Sequence, residues 1–140
     1  MTMSETGFRV NMDPQKTVLI VDDEPETAEM LAEMLRVSGY RTVKSFGGAA
    51  SINLVSKERP DAVLLDMVMP DVSGLDVLRF VRHDPQLIHI PVVVVSARCL
   101  PADIQSGMDA GAFAYLAKPV SFTDLTITVD KAIQSTLHAS

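Results

Sequence analysis

The sequence predicts one α/β domain of the (βα)5 type, a doubly wound five-stranded parallel sheet with helices on both faces. Three observations predict it. Uninterrupted apolar runs such as Val18-Leu19-Ile20-Val21, Ala62-Val63-Leu64-Leu65 and Val92-Val93-Val94-Val95 have the character of strands buried on both sides. Segments with apolar residues at helical spacing separate these runs, and strands alternating with helices build parallel sheets. Chemistry-bearing residues close four of the five strands: Asp22 and Asp23, Asp66, Ser96, and Lys118. In an open parallel sheet those C-terminal strand ends share one edge, where the crevice used for binding lies.

The 140 residues suit a single core, and 47% hydrophobic with 21% charged residues is the composition of a compact globular chain. A net charge of -6 argues against direct nucleic-acid binding, which depends on neutralising phosphates with Lys and Arg. Cys99 is the sole cysteine, so no intramolecular disulfide can form, and the chain leans towards a reducing compartment. No apolar run approaches the roughly 18 residues needed to span a bilayer, and the N-terminus lacks the pattern of a signal peptide. A cytoplasmic protein without membrane insertion is expected.

In chain order, residues 1–16 are polar and closed by Asp13-Pro14, and are read as a flexible leader to a domain covering 17–140. The first strand ends in Asp22-Asp23-Glu24. Pro25 suits the first turn of a helix whose inner face is Ala28, Leu31, Ala32 and Leu35, and Gly39 supplies its left-handed stop. Tyr40 to Phe46 reads as a polar edge strand. Ala49, Ile52 and Val55 mark a second helix to about Glu58, and Pro60 leads to the strand that ends at Asp66. Leu75, Leu78 and Val81 give a third helix from Gly74, broken near Asp84-Pro85. Val92 to Ser96 is the most β-branched strand. Leu100, Ile104 and Met108, four apart, predict a fourth helix with Gly111 at its close, and Ile104 and Met108 are read as its core side. Ala112 to Ala117 reads as the fifth strand, and Leu125, Val129, Ala132 and Ile133 as the inner face of a last helix.

Asp66 is a costly residue at the mouth of a buried strand unless it is paired, metal-bound or chemically used. Its surroundings carry a resemblance. Val21-Asp22-Asp23-Glu24, Asp66 with Met69-Pro70 and Gly74, Ser96-Ala97, and Gly111-Ala112 followed by Tyr115 and Lys118-Pro119 resemble the response regulator receiver domain, the phosphoacceptor half of two-component signalling. The order and spacing of these pieces span residues 17 to about 137. The resemblance implies the flavodoxin-like three-layer sandwich with strand order 2-1-3-4-5, and no classical enzyme beyond self-catalysed phosphoryl transfer and slow autodephosphorylation.

It also implies roles. Three carboxylates brought together repel one another, and a hard divalent cation such as Mg²⁺ relieves this through oxygen ligands. Asp23 and Asp66 would bind Mg²⁺ directly, Asp22 through a water, and Val68 through its backbone carbonyl. Asp66 would accept a phosphoryl group from a histidine kinase or phosphotransfer protein, while Lys118 and Ser96 hold the phosphoryl oxygens. Ser96 and Tyr115 resemble the family's switch pair, reporting to a downstream effector or an output domain through the fourth helix, fifth strand and fifth helix. Lys118-Pro119 is the expected cis peptide. Val68 cannot orient a hydrolytic water, and Arg98 is long enough to reach over the phosphate, so slow hydrolysis is expected.

Plainer roles stand beside these. Asp22 and Asp23 could only cap the helix at Pro25, Ser96 could be a turn residue, Lys118 a solvated charge and Tyr115 a core residue. His83, His89 and His138 show no metal-ligand spacing. A phosphohydrolase of the haloacid dehalogenase type would need an acid/base two residues after its nucleophile, where Val68 stands. The acids after the first strand would repel a flavin phosphate, and no P-loop motif is present. The remaining alternative is a receiver-like interaction module that works without phosphorylation. Phe113-Ala114 stand where many DNA-binding members carry an acidic pair, so their dimer face is not expected, and the oligomeric state stays open.

Overall fold

The computed structural model describes residues 15–137, so the predicted leader falls, as far as Pro14, outside the described residues. Its last two residues are joined to the fold. The Gln15 side-chain amide donates to the Gly39 carbonyl at 3.0 Å, and the Arg41 amide donates to the Lys16 carbonyl at 2.9 Å.

The elements follow in strict alternation as β1 (Thr17–Val21), α1 (Pro25–Val37), β2 (Arg41–Ser45), α2 (Gly48–Glu58), β3 (Ala62–Leu65), α3 (Gly74–His83), β4 (Val92–Ser96), α4 (Pro101–Asp109), β5 (Ala114–Ala117) and α5 (Phe122–Leu137). All five strands are parallel, in the order β2-β1-β3-β4-β5. The order turns back between β1 and β3. The loops after those two strands therefore leave on opposite faces and open a crevice between Asp22-Asp23 and Asp66.

Successive residues of the buried strands point to opposite faces, and two cores result. Val18, Ile20, Ala62, Leu64, Val93 and Val95 pack against Leu31 and Leu35 of α1 and Leu125, Val129 and Ile133 of α5. Leu19, Val21, Val63, Leu65, Val92 and Val94 pack against Val55 of α2 and Val77, Leu78 and Val81 of α3. Burying such a side chain fully contributes about 1.5–3 kcal/mol, which is why the uninterrupted runs commit to the sheet interior.

The termini of the helices follow the local signals. Pro25 opens α1, and Gly39 adopts the left-handed φ of 98° just past its end. Ser73 caps α3, its hydroxyl accepting from the Asp76 amide at 3.2 Å.

Three expectations need correction. The second strand is shorter than Tyr40–Phe46; Tyr40 lies outside it, its hydroxyl donating to Asp130 of α5, and Phe46 is half exposed. The fifth strand begins at Ala114 rather than Ala112, because Gly111, at φ 107°, turns the chain there. Most consequentially, Ile104 and Met108 are not core residues: they are 37% and 41% exposed, beside Leu100 at 71%. The α4 helix lies at the sheet edge beside a strand of four residues and presents Gly107 inward, leaving the apolar row outside.

Candidate functional site

Each site residue is held by the strand it terminates. The Asp22 amide donates to the Ser45 carbonyl of β2, the Asp66 amide to the Val21 carbonyl of β1, and the Lys118 amide to the Ser96 carbonyl of β4, all at 3.0 Å. The sheet ladder thus continues one residue beyond the strands and carries the carboxylates and the ammonium to one edge.

There the side chains meet. Carboxylate oxygens of Asp22, Asp23 and Asp66 all lie within 4.8 Å of one another. Lys118 Nζ donates to Asp22 Oδ2 at 2.7 Å and to Asp66 Oδ2 at 2.9 Å, with Glu24 Oε1 at 3.9 Å. Burial works against the Lys118 charge, but hydrogen bonds to Asp22 and Asp66 outweigh it and hold its pKa above the ordinary lysine value. The remaining oxygens are also engaged: Asp22 Oδ1 accepts from the Glu24 amide at 2.9 Å, and Asp66 Oδ1 from the Val68 amide at 3.1 Å. Neither Asp22 nor Asp23 caps α1 through its side chain; Glu24 occupies the N-cap. The capping role is therefore not the one these acids perform.

A cleft of about 330 Å³ opens above the acids, lined by Asp23, Glu24, Asp66, Val68, Ala97 and Lys118. Asp66 is buried but for its edge on this cleft, and Val68 is half exposed beside it. The loop that carries Val68 is pinned. The Gly74 amide donates to the Met67 carbonyl at 3.1 Å, and a methyl group on Gly74 would stand 2.2 Å from the Asp66 carbonyl oxygen, so only glycine closes this loop. Its middle is tied to α2, where Asp71 accepts from the Gly48 and Ala49 amides at 3.1 and 3.0 Å.

Ser96 is fully buried at the end of β4, and its Oγ accepts from the Arg98 amide at 3.2 Å. Tyr115 is half buried; its hydroxyl donates to the Arg98 carbonyl, and its ring lies against Gly107. Burial, joined by the negative charge of Asp103, pushes the Tyr115 pKa up, so the hydroxyl stays a donor. The Arg98 guanidinium turns towards α4, with Nε 3.0 Å from Asp103 Oδ1. The Lys118-Pro119 bond is cis.

The profile of the response regulator receiver domain matches residues 18–130. The chain belongs to this family. This receiver domain is 35% identical over 106 residues to the polar-differentiation response regulator DivK of Brucella anthropi, an alignment covering 76% of this chain and 86% of that protein. Its fold superposes on a Francisella response regulator receiver domain with a TM-score of 0.80 at 28% identity, covering 87% of this chain and 99% of the other. It superposes equally, at 0.80 and 27% identity, on the receiver domain of a Pseudomonas aeruginosa sensor histidine kinase that was crystallised with a magnesium ion in its active-site cleft, covering 86% and 99% of the two chains. As members of a signalling family, receiver domains are switches rather than enzymes acting on external substrates.

Sequence reasoning missed three residues that hold neighbouring elements of the receiver domain together. Asp71 carried no signal, because the amides it binds lie 22 and 23 residues away. Arg82 of α3, whose Nε donates to the Gly111 carbonyl at 2.9 Å, was equally silent. Gly107 did carry one: an isolated glycine inside a helical pattern marks a packing or functional need.

Proposed function

We propose that the receiver domain is a phosphorylation-activated switch that takes a phosphoryl group onto Asp66 from the phosphohistidine of a histidine kinase or phosphotransfer protein. The single observation that carries this reading is the convergence of three carboxylates within 4.8 Å, with the Lys118 ammonium bonded to two of them. The donor set is all oxygen and strongly anionic, which suits Mg²⁺. Asp23, Asp66 and the Val68 carbonyl would hold the ion directly, with Asp22 acting through water, and the Pseudomonas receiver domain's magnesium supports the assignment. The chemistry Mg²⁺ would supply when bound there is neutralisation of charge on the phosphoryl oxygens.

The protein's own groups do the rest. A carboxylate oxygen of Asp66 forms the new P–O bond as the P–N bond to the donor imidazole breaks, its electron pair passing to the ring nitrogen. Lys118, already on Asp66, is placed to move onto a phosphoryl oxygen. The Ser96 hydroxyl gives up the Arg98 amide it accepts from and donates to a phosphoryl oxygen, which draws the β4–α4 loop inward, and Tyr115, bonded to Arg98, is held in its inward place against Gly107. That displaces α4 and β5 relative to α5, the face read by a downstream effector or an output domain. Val68 offers no group to orient a hydrolytic water, and Arg98 can shield the phosphate once it leaves Asp103, so the modified state is long-lived. Cytoplasmic placement accords with this role. Among the described residues no helix is long and apolar enough to cross a membrane.

The test is Mg²⁺-dependent incorporation of phosphate from acetyl phosphate into the wild type and into Asp66→Asn. Incorporation by the wild type alone is the expected result; equal labelling of both, or of neither, would leave the phosphorylation-independent interaction module as the better reading.

A further inference from the structure

Gly107 sits in the interior of α4, where glycine is among the least favourable residues, and it is the residue of that helix that is buried. What it faces explains its presence. A methyl group on its Cα would stand 2.9 Å from both Cδ2 and Cε2 of Tyr115, and 3.3 Å from Met67 Cε. Met67 can yield, because its terminal methyl is the end of a flexible chain. The tyrosine ring can yield only by leaving, since two of its edge atoms are in contact at once and its hydroxyl is anchored to the Arg98 carbonyl. Beside the ring is a cleft of about 260 Å³, bounded by Met67, Leu75, Ser106 and Gly107, so space exists for another ring position.

The anchor links the ring to the site. Arg98 receives the Tyr115 hydroxyl on its carbonyl and donates its amide to Ser96 Oγ, so one residue separates the Gly107–Tyr115 contact from the buried hydroxyl at the end of β4. Any group that draws Ser96 inward acts on the same residue that holds the ring. By linkage, a change that disfavours the inward ring weakens the occupied state of the site by the same factor.

We propose that Gly107 is a positioning residue of the switch: its missing Cβ is what admits Tyr115 to the α4 face, and its size sets how strongly ring position and phosphoryl occupancy are coupled. The coupling rests on the functional reading given above, whereas the ring contact does not. Gly107→Ala is a favourable test because alanine improves the helix, so a loss of function cannot be attributed to a weaker α4.

The chain has two tyrosines, Tyr40 and Tyr115, so protein labelled with 3-fluorotyrosine gives two fluorine NMR resonances, assigned with Tyr40→Phe. In Gly107→Ala the Tyr115 resonance is expected to move and that of Tyr40 to stay. Beryllofluoride affinity, measured with Mg²⁺ as a stand-in for phosphorylation, should fall about fivefold or more. In a Tyr115→Ala background the same glycine substitution should leave that affinity unchanged. An unmoved Tyr115 resonance, or an equal loss of affinity in both backgrounds, overturns the proposal. If the wild type binds no beryllofluoride, the functional reading and the coupling fall together, while the fluorine spectra still decide whether Gly107 sets the ring.

Discussion

Lys118 Nζ stands 2.9 Å from Asp66 Oδ2 and so joins the ends of β5 and β3 across the intervening β4. The same ammonium serves Asp22 at 2.7 Å, which leaves one partly buried positive charge facing three clustered carboxylates. This deficit has a thermal consequence. Mg²⁺ is expected to raise Tm, by about 2.7 kcal/mol of added stability at a hundredfold excess over Kd. Asp23→Asn should raise Tm in chelator by relieving repulsion and shrink the Mg²⁺ effect. Calorimetry with Mg²⁺ and with chelator checks both; an unchanged cation effect in the variant would remove Asp23 from the ligand set.

Val68 lies beside Asp66 on the cleft and is 52% exposed, so its side chain can be exchanged without repacking. Val68→Asn places an amide where an attacking water could be oriented, while the backbone carbonyl is kept. The phosphorylated variant should lose phosphate several-fold faster than the wild type in a phosphate-release assay. Equal decay rates would reject a role for this side chain in the lifetime.

Asp71 binds the α2 N-terminus, and the Ala49, Val72 and Gly48 amides hold its pKa below the ordinary value of 3.8. A depressed carboxyl stabilises the fold at pH above its unfolded pKa, and that contribution is lost as pH falls through the folded value. Wild-type stability should therefore decline in acid below about pH 3.8. Asp71→Ala should be less stable at pH 7 and show a shallower acid limb, with Asp71→Asn, which can still cap, in between. Denaturant midpoints across that pH range decide it; parallel acid limbs in all three proteins would contradict the assignment.

Arg82 plays a corresponding bracing part at the opposite edge of the sheet, before β4 and β5. Its guanidinium donates to the carbonyls of Gly111 at 2.9 Å, Ile90 at 2.8 Å and Ile88 at 3.1 Å, tying α3 to the turns on both sides of the β4–α4 unit. Burial pushes its pKa down, yet the carbonyl partners keep the cation satisfied. Arg82→Ala should cost about 2–3 kcal/mol in urea unfolding, because charge-assisted bonds are lost and carbonyls are left partly unpaired. Arg82→Lys should not restore it, since an ammonium cannot reproduce the planar fork. Full recovery by lysine would show that charge alone matters.

Much of the fold was legible because the core is built from runs whose neighbours in space are neighbours in pattern. Val18 to Val21, Ala62 to Leu65 and Val92 to Val95 alternate between two faces that are both covered, so continuous apolar sequence could only mean a buried parallel strand. The acids and Lys118 were legible for the same reason: each directly follows a strand, and a parallel sheet brings all such positions to one edge.

The α4 region was not legible, and the reason is physical. Periodicity states that Leu100, Ile104 and Met108 share a side of the helix, but not whether the sheet extends far enough to cover that side; with β5 at the edge, it does not. Contacts between a side chain and a distant backbone amide, carbonyl or Cα likewise leave no local pattern, as with Asp71 on Gly48, Arg82 on Gly111 and Tyr115 on Gly107. The sequence alone determined the layered sheet and the carboxylate cluster at its edge. Tertiary packing alone decided which helix face stays open and what holds Tyr115, because both depend on where the sheet ends.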